Sequence, residues 1–225
     1  MAIIVSLCLI VLGIAVLLYP SFSNVLYRQK AKTINDAFEQ RTEQYTPEQQ
    51  DELYQQIVAY NRKLYETGQK GLVDAFSYEQ VDFSLKAFGF EEEMIGYLTI
   101  PKLDLELPVY LGASESNLNR STGHLSQTSL PVGGKNTNAV IAGHRGYAQA
   151  TMFRDIDKLE TGDLIYLTNF RETLVYAVCE IAIILPTDID RILIQPGRDM
   201  MTLITCHPYG HNDQRYVVYA ERMEA

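Results

Sequence analysis

Cysteine is scarce in this chain of 225 residues, and Cys8, Cys179 and Cys206 form no CxxC pair and no metal-ligand spacing. An odd set of three with such spacing excludes both a paired disulfide framework and a zinc-finger type of site. Histidine is nearly as sparse, limited to His124, His144, His207 and His211. No cluster of Asp or Glu is placed to bind calcium near any of them, so neither a metal nor a cofactor is expected. Positive charge is in short supply, with 19 Lys and Arg against 28 Asp and Glu and a net charge of −9. Residues 1–33 hold Arg28, Lys30 and Lys32 and no acid, so the remainder carries −12. A body that acidic repels a polyanion, which excludes nucleic acid as a partner and leaves neutral or basic protein substrates. Internal repeats and low-complexity tracts are absent as well.

Charge is missing altogether from Met1 to Tyr27, the first charged side chain being Arg28. An apolar run of eighteen or more residues is long enough to cross a bilayer as a helix. A cleaved signal peptide would need a small-x-small site, and none is clear before Tyr19-Pro20. Residues 1–20 are therefore expected to form an uncleaved transmembrane anchor in a lipid membrane. The basic cluster at Arg28, Lys30 and Lys32 follows the span and no basic stretch precedes it. By the positive-inside rule that arrangement would hold the following side in the cytoplasm.

Residues 21–70 read as a juxtamembrane helical segment. Thr46-Pro47-Glu48-Gln49 is a strong start signal, combining a Thr N-cap, Pro at the first helical position and Gln where a capping box needs it. Leu53, Ile57, Tyr60 and Leu64 then recur at helical spacing. Residues 71–93 show no period and read as a long loop, a kind of segment that is often functional. From residue 94 to 225 the texture is β: Tyr97 to Ile100, Leu107 to Tyr110, Ala139 to Ile141, Leu164 to Leu167, Thr173 to Leu185, Thr202 to Thr205 and Tyr216 to Tyr219 are short, β-branched or aromatic, and separated by Gly, Pro and Asn. Many short strands with few helices predict a mainly β domain, a barrel or a sandwich.

Three of these strands end on residues that carry chemistry. Thr202-Leu203-Ile204-Thr205 stops at Cys206, Ala139-Val140-Ile141-Ala142-Gly143 stops at His144, and Arg215 opens the last strand. A cysteine attacks as a thiolate and needs a partner that takes or lowers its proton. A guanidinium that stays charged can hold a carbonyl oxygen as it becomes an oxyanion. His207 adjoins Cys206, and strand alternation points it away from the thiol. His124 and Thr205 are candidates for the rim of a substrate groove, Thr205 as a possible further donor to the oxyanion.

Together these residues resemble the sortases, membrane-anchored cysteine transpeptidases of Gram-positive surfaces. Thr202-Leu203-Ile204-Thr205-Cys206 matches the TLxTC signature of that family, and Arg215 stands at the spacing of its catalytic arginine. Gly123-His124-Leu125 through Pro131-Val132-Gly133-Gly134 to Gly143-His144-Arg145-Gly146 looks like the class C, pilus-assembling branch, as does Pro208-Tyr209-Gly210 after the cysteine. The resemblance covers about residues 94–222. It implies a closed eight-stranded β-barrel and a thioacyl mechanism on an LPxTG-like sorting signal. Cys206 would be the nucleophile, His144 the general acid and base, and Arg215 the oxyanion and substrate ligand. The acceptor would be a pilin lysine amine, and the catalytic domain would sit on the extracellular face as a single-pass membrane protein. Class C members carry a lid with an Asp-Pro-aromatic motif. The nearest match here is Asp74-Ala75-Phe76, with Ala in place of Pro, and Asp82-Phe83 is a poorer one. Other readings remain open: attachment of surface proteins to peptidoglycan, hydrolysis of the thioester by water, or an inactive barrel scaffold at a pilus base. Many class C members also end in a further membrane segment, whereas this sequence closes on Glu221-Arg222-Met223-Glu224-Ala225.

Overall fold

A run of uncharged apolar residues has no reason to leave a helix when no glycine cap or polar turn interrupts it. In the computed structural model, which describes residues 2–78, 93–146 and 150–223, helix α1 runs unbroken from Ala2 to Thr42 with Pro20 inside it. The boundary expected at residue 20 between the anchor and the juxtamembrane segment falls within this continuous helix. What changes along α1 is its surroundings. Ile3, Leu7, Leu12 and Leu18 are all more than half exposed, in a stretch apolar enough to span a bilayer, with a mean hydropathy of 2.8 over its best window. Beyond Tyr27 one face is buried instead: Ala31, Asn35, Phe38 and Thr42 fall three or four residues apart and pack on the barrel. Polar clasps fix this face. Arg28 pairs with Asp104, Tyr97 donates to Glu39, and the Asn35 amide donates to Glu106 at 2.8 Å.

Helix α2, Pro47–Thr67, starts where the sequence predicts, with both hydrogen bonds of the capping box between Thr46 and Gln49 present. It ends at Gly68, whose positive φ of 70° suits glycine. Its buried face is Leu53, Ile57, Asn61 and Leu64. Asn61 clasps the backbone of Leu130 in the β3–β4 connection, donating to its carbonyl at 2.9 Å and accepting from its amide at 2.8 Å.

Eight strands follow: β1 Met94–Ile100, β2 Leu105–Leu111, β3 Thr122–His124, β4 Thr137–Ala142, β5 Leu164–Thr168, β6 Thr173–Ile184, β7 Asp199–His207 and β8 Gln214–Arg222. They close into a barrel in the order β1-β2-β3-β4-β7-β8-β6-β5, with a short helix α3, Glu115–Arg120, between β2 and β3. The β2–β3 and β4–β7 pairs are parallel and the others antiparallel. The predicted strands are all present, while β3, only three residues long, had no alternation to show.

Alternation sorts the side chains of β4, β7 and β8 onto two buried faces. Ile141, Met201, Leu203, Val218 and Ala220 join the barrel interior. Val140, Ala142, Met200, Ile204, Val217 and Tyr219 face outward, under a second layer that includes Ala75, Leu118, Leu125 and Ile192. This second layer matters for function, because the groove residues stand on the outward face where the layer ends.

Candidate active site

Cys206 is the penultimate residue of β7 and Arg215 the second residue of β8, and the antiparallel register sets them directly opposite each other. Their side chains therefore emerge on one face, with Arg215 Nη1 3.9 Å from the Cys206 sulfur. The guanidinium is held on every side. Its Nε and Nη2 donate to the two carboxylate oxygens of Asp74, each at 2.7 Å, and Nη1 also donates to the carbonyls of Asn212 and Gln214 at 2.8 and 2.9 Å. A bidentate pair of this kind, with the Arg215 side chain only 5% exposed, leaves the fork no rotational freedom.

His144 reaches the same end by a different route. In the parallel β4–β7 pair, Thr137 lies opposite Asp199 and Ala142 opposite Ile204, a constant offset of 62 positions. The ladder continues one step further through Gly143 N–H to the Ile204 carbonyl at 3.2 Å. Carried on, the same offset puts His144 level with Cys206. Gly143 is required at this step, because a Cβ there would stand 2.8 Å from the buried Phe153 ring.

Asp74 and Phe76 arrive from the segment after α2. The Asp74 carboxylate accepts from the Phe76 amide at 3.1 Å, and the Asp74 carbonyl accepts from the Ser77 amide at 3.1 Å. These bonds hold the turn that proline would otherwise pre-set. Ala75 is fully buried in the outer layer. Phe76 lies between the two site groups, its ring 5.0 Å from the Arg215 guanidinium and 6.0 Å from the His144 ring. Of the expected loop 71–93, residues 79–92 lie outside the described residues, and with them the Asp82-Phe83 match.

Two expectations fail. Thr205 points the other way from Cys206, fully buried on the barrel-interior face, because neighbours on a strand face opposite sides. His124 is 1% exposed, with its Nε2 3.0 Å from the Ser129 carbonyl and 3.1 Å from the Thr128 hydroxyl. It ties the β3–β4 connection together and lines no groove. One influence on the site was not foreseen. Glu115, in the first turn of α3, acts electrostatically on the His144 ring. An acid beside a helix N-cap reads from sequence as capping chemistry, so nothing marked it.

Burial pushes the Cys206 thiol above its ordinary range; Arg215 opposes that rise and Asp74 adds to it. Burial pushes His144 below the usual imidazole range, against a smaller upward pull from Glu115. Both shifts favour the uncharged forms, a thiol and a neutral imidazole at neutral pH. A nucleophile, a base at the same strand level and a fixed guanidinium beside the sulfur supply the parts for acyl transfer through a thioester. Among the described residues no group of His, Cys, Asp or Glu is arranged to hold a metal ion.

Known proteins resemble this chain in sequence and fold. The family model for the sortase domain matches residues 98–223. Sortase A of Bacillus anthracis is 32% identical over 164 residues, covering 72% of this chain and 76% of that protein. Among solved structures, sortase C of Streptococcus pneumoniae, described with its pilin substrate specificity, is 35% identical with a TM-score of 0.78. The match covers 86% of this chain and 97% of that one. A pilus-related sortase C of Group B Streptococcus is 31% identical with a TM-score of 0.77, covering 83% and 95%. The closed barrel, the strand-end thiol and these likenesses agree, and the chain belongs to the sortase family of cysteine transpeptidases.

Proposed function

We propose that this sortase builds pili, by cleaving an LPxTG-like sorting signal at its Thr–Gly bond and joining the new acyl group to a pilin lysine. The observation that carries this reading is the placement of Cys206, His144 and Arg215 at one end of the β4–β7–β8 face, together with the likeness to pilus-related sortases C. Cys206 gives its proton to His144 and attacks the threonine carbonyl as a thiolate, and Arg215 holds the oxygen that gains charge. The tetrahedral intermediate expels the glycine amine, which takes a proton from His144, and a thioester remains. A lysine amine then attacks that thioester, gives its proton to His144 and releases the Cys206 thiolate, leaving an isopeptide bond.

In this reading residues 94–225 form the catalytic domain and 71–93 a lid, carried by the helical segment 21–70 and the anchor 1–20. Asp74 occupies the fork of Arg215 that a substrate carbonyl needs, and Phe76 covers the approach to His144. Substrate must displace both. The barrel sits outside the cell, on the same side of the span as Arg28, and that basic residue is engaged by Asp104 on the barrel.

The test uses the full chain in detergent micelles, mixed with a purified pilin bearing an LPxTG-like signal. An SDS-resistant ladder is expected with the parent protein and none with Cys206→Ala. Cleaved pilin without a ladder moves the acceptor to a peptidoglycan amine or to water. If neither the parent protein nor the variant with Asp74 and Phe76 both replaced by Ala cleaves or links the pilin, the reading falls in favour of a scaffold.

A further inference from the structure

Each of the three proposed catalytic residues is followed by a residue of a second cluster. After His144, Cys206 and Arg215 come Arg145, His207 and Tyr216, and alternation sends these three to the opposite face of the same strand ends. They meet there. Arg145 Nη1 lies 2.6 Å from His207 Nδ1, and Arg145 Nη2 lies 2.7 Å from a carboxylate oxygen of Asp157. The Tyr216 ring lies 5.1 Å from the Arg145 guanidinium and 5.8 Å from the His207 ring. The Arg145 side chain is only 7% exposed, while that of Asp157 is 50% exposed, so the guanidinium is buried with one partner at the surface.

We propose that Arg145, His207 and Asp157 form a positioning clamp behind the active site, which fixes the spacing between His144 and Cys206. The inference rests on the transpeptidase reading above, since it assigns the clamp a use in that reaction. Its physical ground is where the strand ladder stops. β4 ends at Ala142, and the last regular bond to β7 is Gly143 N–H to Ile204. His144 comes next, one residue beyond that bond. The next cross-link between the two strands is the Arg145–His207 bond. His144 thus lies between two ties to β7, one on each side, with its own carbonyl accepting from the Phe153 amide at 3.0 Å, and only the second tie to β7 is made by side chains. Arginine only donates, so His207 Nδ1 accepts and the His207 proton sits on Nε2. Burial and the Arg145 charge both hold His207 in its neutral form, against the pull of Asp157. Asp157, from the 3-10 turn Ile156–Lys158, fixes the other arm of the guanidinium. A single ammonium does not reproduce a fork that spans two partners.

The experiment measures turnover of a sorting-signal peptide and an amine acceptor by the full chain in micelles, comparing His207→Leu, His207→Asn and Arg145→Lys with the parent. Misplacing a reacting group by about 1 Å costs on the order of 100-fold in rate. His207→Leu is accordingly expected to lose about 10- to 100-fold in kcat, with KM nearly unchanged and Cys206 still labelled by a methylthiosulfonate reagent. His207→Asn keeps an acceptor at the Nδ1 position and should recover most of that loss, which a purely structural role for the ring would not predict. A parent-like kcat for His207→Leu, or an equal loss in His207→Asn, overturns the clamp. Should His207→Leu fail to fold, Arg145→Lys decides, because a parent-like kcat there also overturns it. If the parent itself turns over no peptide, the transpeptidase reading fails separately. The clamp is then judged by nitrogen-15 histidine NMR of the parent at neutral pH: an unprotonated Nδ1 on His207 supports it and a protonated one ends it.

Discussion

Asp74 sets a negative charge against the guanidinium that stands beside the thiol. Removing that charge lowers the cost of forming the Cys206 thiolate, because Asp74 is one of the groups that raises its pKa. Asp74→Ala is expected to speed methylthiosulfonate labelling of Cys206 severalfold at neutral pH and to shift the labelling profile towards acid. An unchanged profile would show that burial alone controls the thiol. A second residue-scale expectation concerns His124, whose burial pushes its pKa from 6.5 down to about 4. Between those values the unfolded chain binds a proton that the folded chain does not. Stability contributed above pH 6.5 is therefore lost as pH falls towards 4, by about 3 kcal/mol. Thermal midpoints followed across this window should fall less steeply for His124→Gln, which does not titrate. Sequence reading placed His144, Cys206 and Arg215 at strand ends, and the register sets Cys206 opposite Arg215 there. The alternation that turns His207 away from the thiol applies equally to Thr205, whereas the burial of His124 was hidden, because β3 is only three residues long.

At the scale of elements, α2 shows how far local chemistry reaches. Its start was legible because Thr46, Pro47 and Gln49 satisfy the first turn by themselves. What α2 docks against was not, because that rests on Asn61 meeting the Leu130 peptide 69 positions away. Asn61→Ala leaves a buried amide and carbonyl without partners, at about 1–3 kcal/mol for each group. Chemical denaturation should register that loss, and Asn61→Ala within 0.5 kcal/mol of the parent would mean that water takes over both bonds. That one helix carries both the apolar run and the docked face was not legible for a related reason. Hydropathy changes near Tyr19-Pro20, and a change of environment looks like a boundary in sequence although the backbone hydrogen bonds continue through it. β3 was missed because three residues show no period. The Asp74 turn was legible only as a motif, because no periodicity marks a segment whose conformation is set by side-chain bonds to its own backbone.

The whole molecule joins an apolar helix to a barrel through contacts along the rest of the same helix. Two of its thiols should then report two solvents. Cys8 projects from the exposed apolar stretch of α1, while Cys206 lies half-buried at the groove. In protein reconstituted into lipid vesicles, a charged methylthiosulfonate reagent should label Cys206 and spare Cys8, and a lipid-soluble maleimide should reach Cys8. Labelling of Cys8 by the charged reagent would argue that residues 3–18 do not enter the bilayer. The unbroken helix carries one more implication. At 1.5 Å per residue, the 41 residues of α1 extend about 60 Å, of which a bilayer core takes about 30 Å. With residues 1–20 in a bilayer, as proposed, the remaining length would lie against the barrel and hold the groove at one height and one tilt above the lipid. Such an enzyme would not search a volume. It would search a plane, and a protein whose own tether presents its cleavage site at the matching height would meet it by lateral diffusion alone.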